Sequence, residues 1–407
     1  MTDLLSNIRS LAAGLPVHQH ANLDEVDSVR IQAGALREVA GYLETKQWTV
    51  VVIVVDGNTY DAAGQSLERL LTKSAIQVQV TKLSSDQKGD VIADEPSLIQ
   101  VILDIQQSRA KAVLAVGGGT IHDISRYAAY TTGIPFLSIP TAASVDGFNS
   151  KGAPIMIRGQ KKTIPAIGPS AIFADVDILM SAPTELTAAG FGDMLGKYTS
   201  LFDWKFGSLV AEEPYLQLSA DITKFALSQC VSGVEQIARR SEEGVRTLMG
   251  ALIESGLAML LFGQSHPASG AEHHLSHYWE MEFIRLGEKQ LLHGAKVGAA
   301  SIEISKLYHR LGEQKLGIVR NVATDVDSVA ERISRHWDDI SEGIKGIPEP
   351  SELGDLMSMV GGPAAVSELP IQSELLMRSL REAHKVRYSR YTLLRAYNEQ
   401  MFYSWIK

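Results

Sequence analysis

Ala112 to Asp123 reads AVLAVGGGTIHD, a short apolar run that breaks into three glycines and then into residues able to start a helix. Val113 to Val116 carry a strand pattern and deliver the backbone to Gly117, Gly118 and Gly119, where the missing Cβ permits a sharp turn and the close approach of a bound group. A helix opening at Thr120 would turn its free N–H groups and positive end toward a cofactor pyrophosphate. The run is not the GxGxxG fingerprint, and it lacks the Lys-Ser/Thr of a P-loop. A glycine triplet after a strand serves as a tight turn just as often, so the surrounding pattern has to arbitrate.

Upstream, WTVVVIVV (Trp48 to Val55) predicts a strand covered on both faces, as in a parallel sheet under helices. It ends at Asp56, Gly57, Asn58 and Thr59, and Ala62 to Lys73 has helical composition. Val29 to Ile31 and Val78 to Lys82 read as further strands, and Gly34 to Glu44 and Ser97 to Gln107 as helices. Downstream, Ile121 to Tyr130 is helical and Phe136 to Ile139 is a strand closed by Pro140. This alternation predicts a doubly wound, Rossmann-like parallel sheet with ligands beyond the carboxyl ends of its strands. Residues 141 to 180 are a glycine- and serine-rich loop with short strands at Ala153 to Ile157 and Ala171 to Asp175.

Beyond Thr184 the pattern is helical almost throughout. The expected helices are Leu186 to Trp204, Ala220 to Arg240, Gly244 to Phe262, His273 to Arg285, His293 to Leu311, Thr324 to His336 and Ile371 to Phe402. Gly346 to Pro370 reads as a surface connection or lid-like loop. The expectation is an α/β chain of two domains, a nucleotide-binding sheet domain over 1–180 and an all-helical domain over 181–407, consistent with its 407 residues.

Composition is that of a globular protein, with 45% apolar and 21% charged residues. A formal charge of −9 gives no general basic field and argues against a nucleic-acid partner. The one cysteine, Cys230, leaves no internal disulfide and suits a reducing, cytoplasmic compartment. The N-terminus does not read as a signal peptide, and no stretch reads as a membrane span. The apolar segment Gly256 to Gly263 comes nearest and reads as a buried helix.

Four places can carry chemistry. In AGFGDMLGKYTS, Asp193 lies among glycines in an apolar segment, where a carboxylate needs a cation or donors, or simply a pair with Lys197 one turn on. In SGAEHHLSHYWE, His273 and His277 are four apart and share a helical face. Both can approach a metal, or one can ligate while the other faces a substrate. In LLHGAKVGAA, His293 ends an apolar run. An Asp/His/His set would give a divalent ion three protein ligands and an open position. In PTAASVDGFNSKG, Thr141 and Ser144 offer hydroxyls to a cofactor, Asp146 can bind a substrate hydroxyl and Lys151 adds charge, although Asp-Gly and Asn-Ser are also ordinary turn chemistry.

Taken in order, GGGTIHD, PTAASVDGFNS, GFGDMLGKYTSLFDWK, GAEHHLSH and LHGAKVG make the chain resemble the glycerol-1-phosphate dehydrogenases. The likeness is to the bacterial AraM type, within the superfamily of iron-containing alcohol and polyol dehydrogenases, and it covers nearly the whole chain. The resemblance implies the dehydroquinate synthase-like two-domain fold and reversible reduction of dihydroxyacetone phosphate to sn-glycerol 1-phosphate with NAD(H) or NADP(H). It implies lipid-related synthesis, a homodimer and a divalent metal, with nickel favoured and zinc second. By that likeness Asp193, His273 and His293 hold the metal, and His277, Asp146 and Asp193 touch the substrate. The cofactor would lie along Gly117, Gly118, Gly119, Thr120, Ile121, His122 and Asp123, along Thr141, Ala142, Ala143 and Ser144, and near Ser150 and Asp56 or Asn58. Lys151, Arg158, Lys161 and Lys162 are candidates for the substrate phosphate, against a solvated hairpin turn over Arg158 to Lys162. The rivals are a glycerol dehydrogenase of the same superfamily and, further off, a dehydroquinate synthase-like cyclase.

Overall fold

A computed structural model describes residues 4–313 and 328–401. Its strands are β1 (Ser28–Gln32), β2 (Val50–Val55), β3 (Gln77–Lys82), β4 (Ala112–Gly117), β5 (Phe136–Pro140), β6 (Gly152–Ile157), β7 (Gln160–Pro165) and β8 (Ala171–Asp175). Six of them form a parallel sheet in the order β1-β8-β5-β4-β2-β3, and β6 and β7 make an antiparallel hairpin. Side chains alternate across the sheet with a period of two. Val51, Ile53, Val55, Leu114 and Val116 enter the core on one face, and Val52, Val54, Val113 and Ala115 that on the other. Each fully buried Val or Leu contributes about 1.5–3 kcal/mol, so the double coverage holds β2 and β4 at the centre.

The chain leaves β2 for β3 on one side and β4 for β5 on the other, so the winding reverses between β2 and β4. Their carboxyl ends, Asp56 and Gly117, therefore border the crevice where doubly wound sheets take ligands.

The helical half is built around Glu242–Phe262, whose buried Leu248, Leu252, Leu257 and Leu260 anchor one core. Two N-terminal helices, Leu4–Ala12 and Val17–Asp24, pack into that same core through Leu5, Ile8, Ala12 and Leu23 before the chain enters the sheet. Glu242–Phe262 is long and apolar enough to cross a membrane, which overturns the expectation that no stretch reaches that length. However, 72% of its apolar window is buried inside the protein, as befits a core helix.

Several expected helices are interrupted. Leu186 to Trp204 is two helices, Thr184–Leu195 and Lys197–Val210, hinged at Gly196, where a Cβ would stand 2.7 Å from Val297 Cγ1. Ala220 to Arg240 divides at Gly233 into Gln217–Ser232 and Val234–Ala238. Ile371 to Phe402 is Ser373–Glu382, a 3₁₀ segment Ala383–Arg387, a turn Leu393–Ala396 and a π-helical segment Tyr397–Met401, with Phe402 outside the described residues. Of Thr324 to His336 the described part is Val329–Arg335, and its expected start lies outside the described residues. Gly346 to Pro370 is not a surface loop. It contains the helix Pro350–Met359, started by a Glu349/Glu352 capping box, with Leu353 and Met357 fully buried. The hairpin turn is confined to Arg158 and Gly159, both at positive φ, and β7 follows at once.

Candidate active site

Asp193, His273 and His293 come from three helices, Thr184–Leu195, Ala271–Leu286 and His293–Glu313, and one ligand atom of each lies within 4.8 Å of the others. Backbone contact makes this possible. A Cβ on Gly294 would overlap Ala189 O, and one on Gly190 would overlap Ala143 O. The glycines therefore let the Asp193 helix lie directly against the His293 helix and against the loop after β5.

Asp193 Oδ1 is 3.6 Å from His273 Nε2. A tetrahedral ion with bonds of about 2.1 Å spans roughly 3.4 Å between ligands, so the 3.6 Å between Asp193 and His273 suits two ligands of one ion, and a carboxylate with two imidazoles is a donor set for a divalent metal. His273 Nδ1 pairs with Glu272 Oε1 at 2.8 Å, which leaves Nε2 toward Asp193. Glu272 is fully buried and accepts from Thr199 Oγ1 and Gly270 N, both at 2.6 Å. Burial alone would raise its pKa, but the hydrogen bonds from His273, Thr199 and Gly270 hold it below the usual range. Burial pulls His293 and His277 well below the usual histidine value, leaving neutral rings.

On the other side, Asp193 Oδ2 accepts from Asp146 N at 2.8 Å. The fully buried Lys197 ammonium lies 2.8 Å from Asp146 Oδ2 and 3.1 Å from Asp193 Oδ1. Burial works against its charge, yet the two carboxylates raise its pKa. Asp146 is raised by burial and by Asp193, while Ser255 Oγ donates to its Oδ2 at 2.7 Å. The expected Asp193–Lys197 pair is thus present, and it forms one network with the cluster rather than an alternative to it.

His277 stands beside the triad, its ring centroid 5.8 Å from that of His293. Its Nδ1 is 3.3 Å from Glu280 Oε2, and Glu280 accepts from Lys161 through both oxygens at 2.7 Å, with Lys296 at 3.5 Å. Burial opposes ionisation of Glu280, but Lys161 and Lys296 hold its pKa well below the usual range. Lys161 on β7 is therefore no solvated turn residue. Lys162 and Arg158 are exposed, and Lys151 Nζ is bonded to Asn22 Oδ1 at 2.6 Å. His274 is fully buried, separate from the triad.

A cleft of about 1860 Å³ joins this cluster to the glycine turn. Asp56, Asn58, Gly118, Gly119, Thr120, Ile121, Asp123, Thr141, Ala142, Ser144 and Ser150 line it, together with Asp146, His273, His277 and His293. Gly117, His122 and Ala143 do not. A Cβ on Gly117 would stand 2.7 Å from Ile121, whereas one on Gly118 would point into open space, so the room ahead of the helix Gly119–Thr132 is left for a ligand. His122 turns inward, with Nδ1 2.8 Å from Gly118 O and Nε2 2.8 Å from Ser138 Oγ. Asp56 caps its own helix, accepting from Thr59 N at 2.7 Å. Burial pushes Asp123 up to about 7. Beside it, the fully buried Arg126 braces the Asp146 loop through Gly147 O and Phe148 O.

The sequence reading missed Glu272, Glu280 and Lys296 as partners. Glu280 and Lys296 each lie three residues after a site histidine, His277 and His293, on a shared helical face, a usable signal. Arg387 and Arg390, which also line the cleft, had no local signal because they were placed inside a continuous helix.

A family model described as iron-containing alcohol dehydrogenase matches residues 30–183. The glycerol-1-phosphate dehydrogenase [NAD(P)+] of Geobacillus thermodenitrificans is 45% identical over 402 residues, covering 98% of this chain and 99% of that one. The enzyme of the same description from Pyrococcus furiosus is 32% identical over 348 residues, covering 84% and 85%. Among solved structures, glycerol dehydrogenase from Schizosaccharomyces pombe superposes with a TM-score of 0.61 at 20% identity, covering 88% of this chain and 82% of that one, a likeness of fold.

Proposed function

Because this chain belongs to the glycerol-1-phosphate dehydrogenases, within the iron-containing alcohol dehydrogenase superfamily, we propose that it reduces dihydroxyacetone phosphate to sn-glycerol 1-phosphate, reversibly, with NADH or NADPH. The observation that carries the reading is the convergence of Asp193, His273 and His293, with the two histidines lining a cleft that also reaches the glycine turn and Asp193 buried behind them. When bound there, a divalent ion supplies Lewis acidity to the substrate carbonyl and a nicotinamide supplies the hydride.

The chain's own residues do the rest. Gly118 and Gly119 leave the helix start open to a pyrophosphate. Asp193 is held in place by Asp146 N and by Lys197, whose charge offsets part of the carboxylate pair. Asp146, steadied by Ser255, presents a carboxylate to a substrate hydroxyl. His277, with Nδ1 occupied by an ionised Glu280, keeps Nε2 for a proton moving to or from the substrate oxygen. Lys161, reaching from the hairpin to Glu280, ties the two halves together beside that ring and helps exclude water.

Residues 1–180 and 181–407 are the two domains of this reading. Nickel is the favoured ion and zinc the second, a homodimer the assembly and the cytoplasm the location. Use of both cofactors is supported by Asp56, whose carboxylate is engaged in its own cap.

The test follows NADH and NADPH oxidation with dihydroxyacetone phosphate, using metal-stripped protein reloaded with nickel and then zinc, and resolves the product's configuration. Metal-dependent formation of the sn-1 phosphate supports the reading. Turnover of free dihydroxyacetone or glycerol alone moves the chain to glycerol dehydrogenase chemistry and overturns it.

A further inference from the structure

The break after Ser373–Glu382 lets the chain cross the cleft, and Arg387 and Arg390 line it beside the loop leading into the His273 helix. Arg387 Nη1 donates to Ser265 Oγ at 2.9 Å and to Ser269 Oγ at 3.1 Å, and Nη2 to Thr163 Oγ1 at 3.3 Å. These partners are all neutral hydroxyls, and among the described residues no carboxylate forms an ion pair with this guanidinium. Burial and the neighbouring Arg390 pull its pKa down to about 10, which still leaves it charged at neutral pH. Arg390 is 4% exposed. Its Nε is 3.2 Å from Glu213 Oε2 and its Nη1 donates to Ser269 O at 2.9 Å, but its Nη2 is buried without a partner among the described residues. His266, on the same wall and also buried, has an unpartnered Nδ1.

One guanidinium paired with a single carboxylate, Glu213, beside a second that meets only hydroxyls, with a buried donor left over, forms an arrangement that a dianion completes. We propose that Arg387, with Arg390 Nη2 and the hydroxyls of Ser265 and Ser269, seats the substrate phosphate and sets the preference for a phosphorylated over a free triose. The inference rests on the proposed reaction. Ser269 stands immediately before Gly270 and the helix whose first turn carries His273. In dihydroxyacetone phosphate only a methylene and an ester oxygen separate the carbonyl carbon from phosphorus, a span within the ~5.4 Å pitch of one helical turn. The competing cations are less suitable, because Lys161 and Lys296 already share Glu280, whose carboxylate repels a phosphate.

The experiment compares wild type, Arg387→Met, Arg387→Lys and Lys161→Met, all metal-loaded, with dihydroxyacetone phosphate and with free dihydroxyacetone. Binding of inorganic phosphate to the NAD-saturated proteins is measured calorimetrically alongside. We expect the ratio of kcat/KM for the phosphorylated over the free substrate to fall about 100-fold in Arg387→Met, largely through KM. Arg387→Lys should recover part of the loss, and phosphate should bind wild type but not Arg387→Met. An unchanged ratio in folded, metal-loaded Arg387→Met and Arg387→Lys overturns the assignment, as does a collapse confined to Lys161→Met. If wild type does not turn over dihydroxyacetone phosphate, the proposed reaction fails, and the phosphate titration alone then decides the site. Arg387-dependent binding upholds an anion seat, and no binding removes it.

Discussion

His293 is the third helix's contribution to the proposed metal cluster, and burial keeps its ring neutral, the form in which imidazole ligates. His293→Ala should abolish metal retention, measured by elemental analysis, together with turnover, while NADH still binds with near-normal affinity by fluorescence. A variant that keeps a full metal complement would remove His293 from the site. Glu254 makes a different prediction. Burial alone pushes its carboxyl up to about 7 from 4.5. Between those values the folded protein holds a proton that the unfolded chain has lost, so this group's contribution to stability falls as pH rises through the window and is then constant. Glu254→Gln should therefore be stabilised by about 1–2 kcal/mol relative to wild type at pH 8 and hardly at all at pH 4, read from denaturant midpoints. Equal effects at both pH values would sink the claim. At this scale Asp193, His273 and His293 were legible because polar residues in apolar segments need partners. Arg387 and Arg390 were not, because their partners come from remote segments or from main chain.

Among the elements, glycine determines how closely helices approach. The Asp193 and His293 helices touch through backbone at Gly294 and Ala189, where a methyl group has no room. Gly294→Ala should push the helices apart, cost about 1–3 kcal/mol by overpacking and weaken metal affinity at least tenfold in a chelator competition, despite alanine's better helix propensity. Unaltered affinity would show that the contact does not govern the ligand spacing. The periodicity that revealed most helices could not reveal their interruptions. Gly196 lies where a Cβ would meet Val297 from a remote helix, and the segment around Arg390 and Leu393 is tied down by Glu213 and by Asp203, which accepts from Leu393 N at 2.9 Å. The helix Pro350–Met359 was misread as a loop although Pro350 and the Glu349/Glu352 box are start signals, because glycines and prolines flank it on both sides.

For the whole molecule, the candidate site draws on both halves of the chain, with Asp193, His273 and His293 from the helices and the glycine turn from the sheet, and an ion held by those three residues would link three helices. Chelation should thus lower the thermal midpoint, and nickel or zinc at 100 times its dissociation constant should restore about 2.7 kcal/mol, visible calorimetrically as a shift of several degrees. A midpoint indifferent to metal removal would mean that the ion does not bridge these elements. The strand–helix alternation, the passage to an all-helical half and the candidacy of Asp193, His273 and His293, which the fold brings together, were present in the linear pattern, because each depends on local periodicity or on a polar residue set in apolar surroundings. Only the tertiary structure decided that the N-terminal helices pack with the helical half, that Lys161 reaches across to Glu280, and that Arg387 and Arg390 face the same cleft as His273. Those pairings join residues far apart in the chain, and the packing of the cores brings them together rather than any local preference of the backbone.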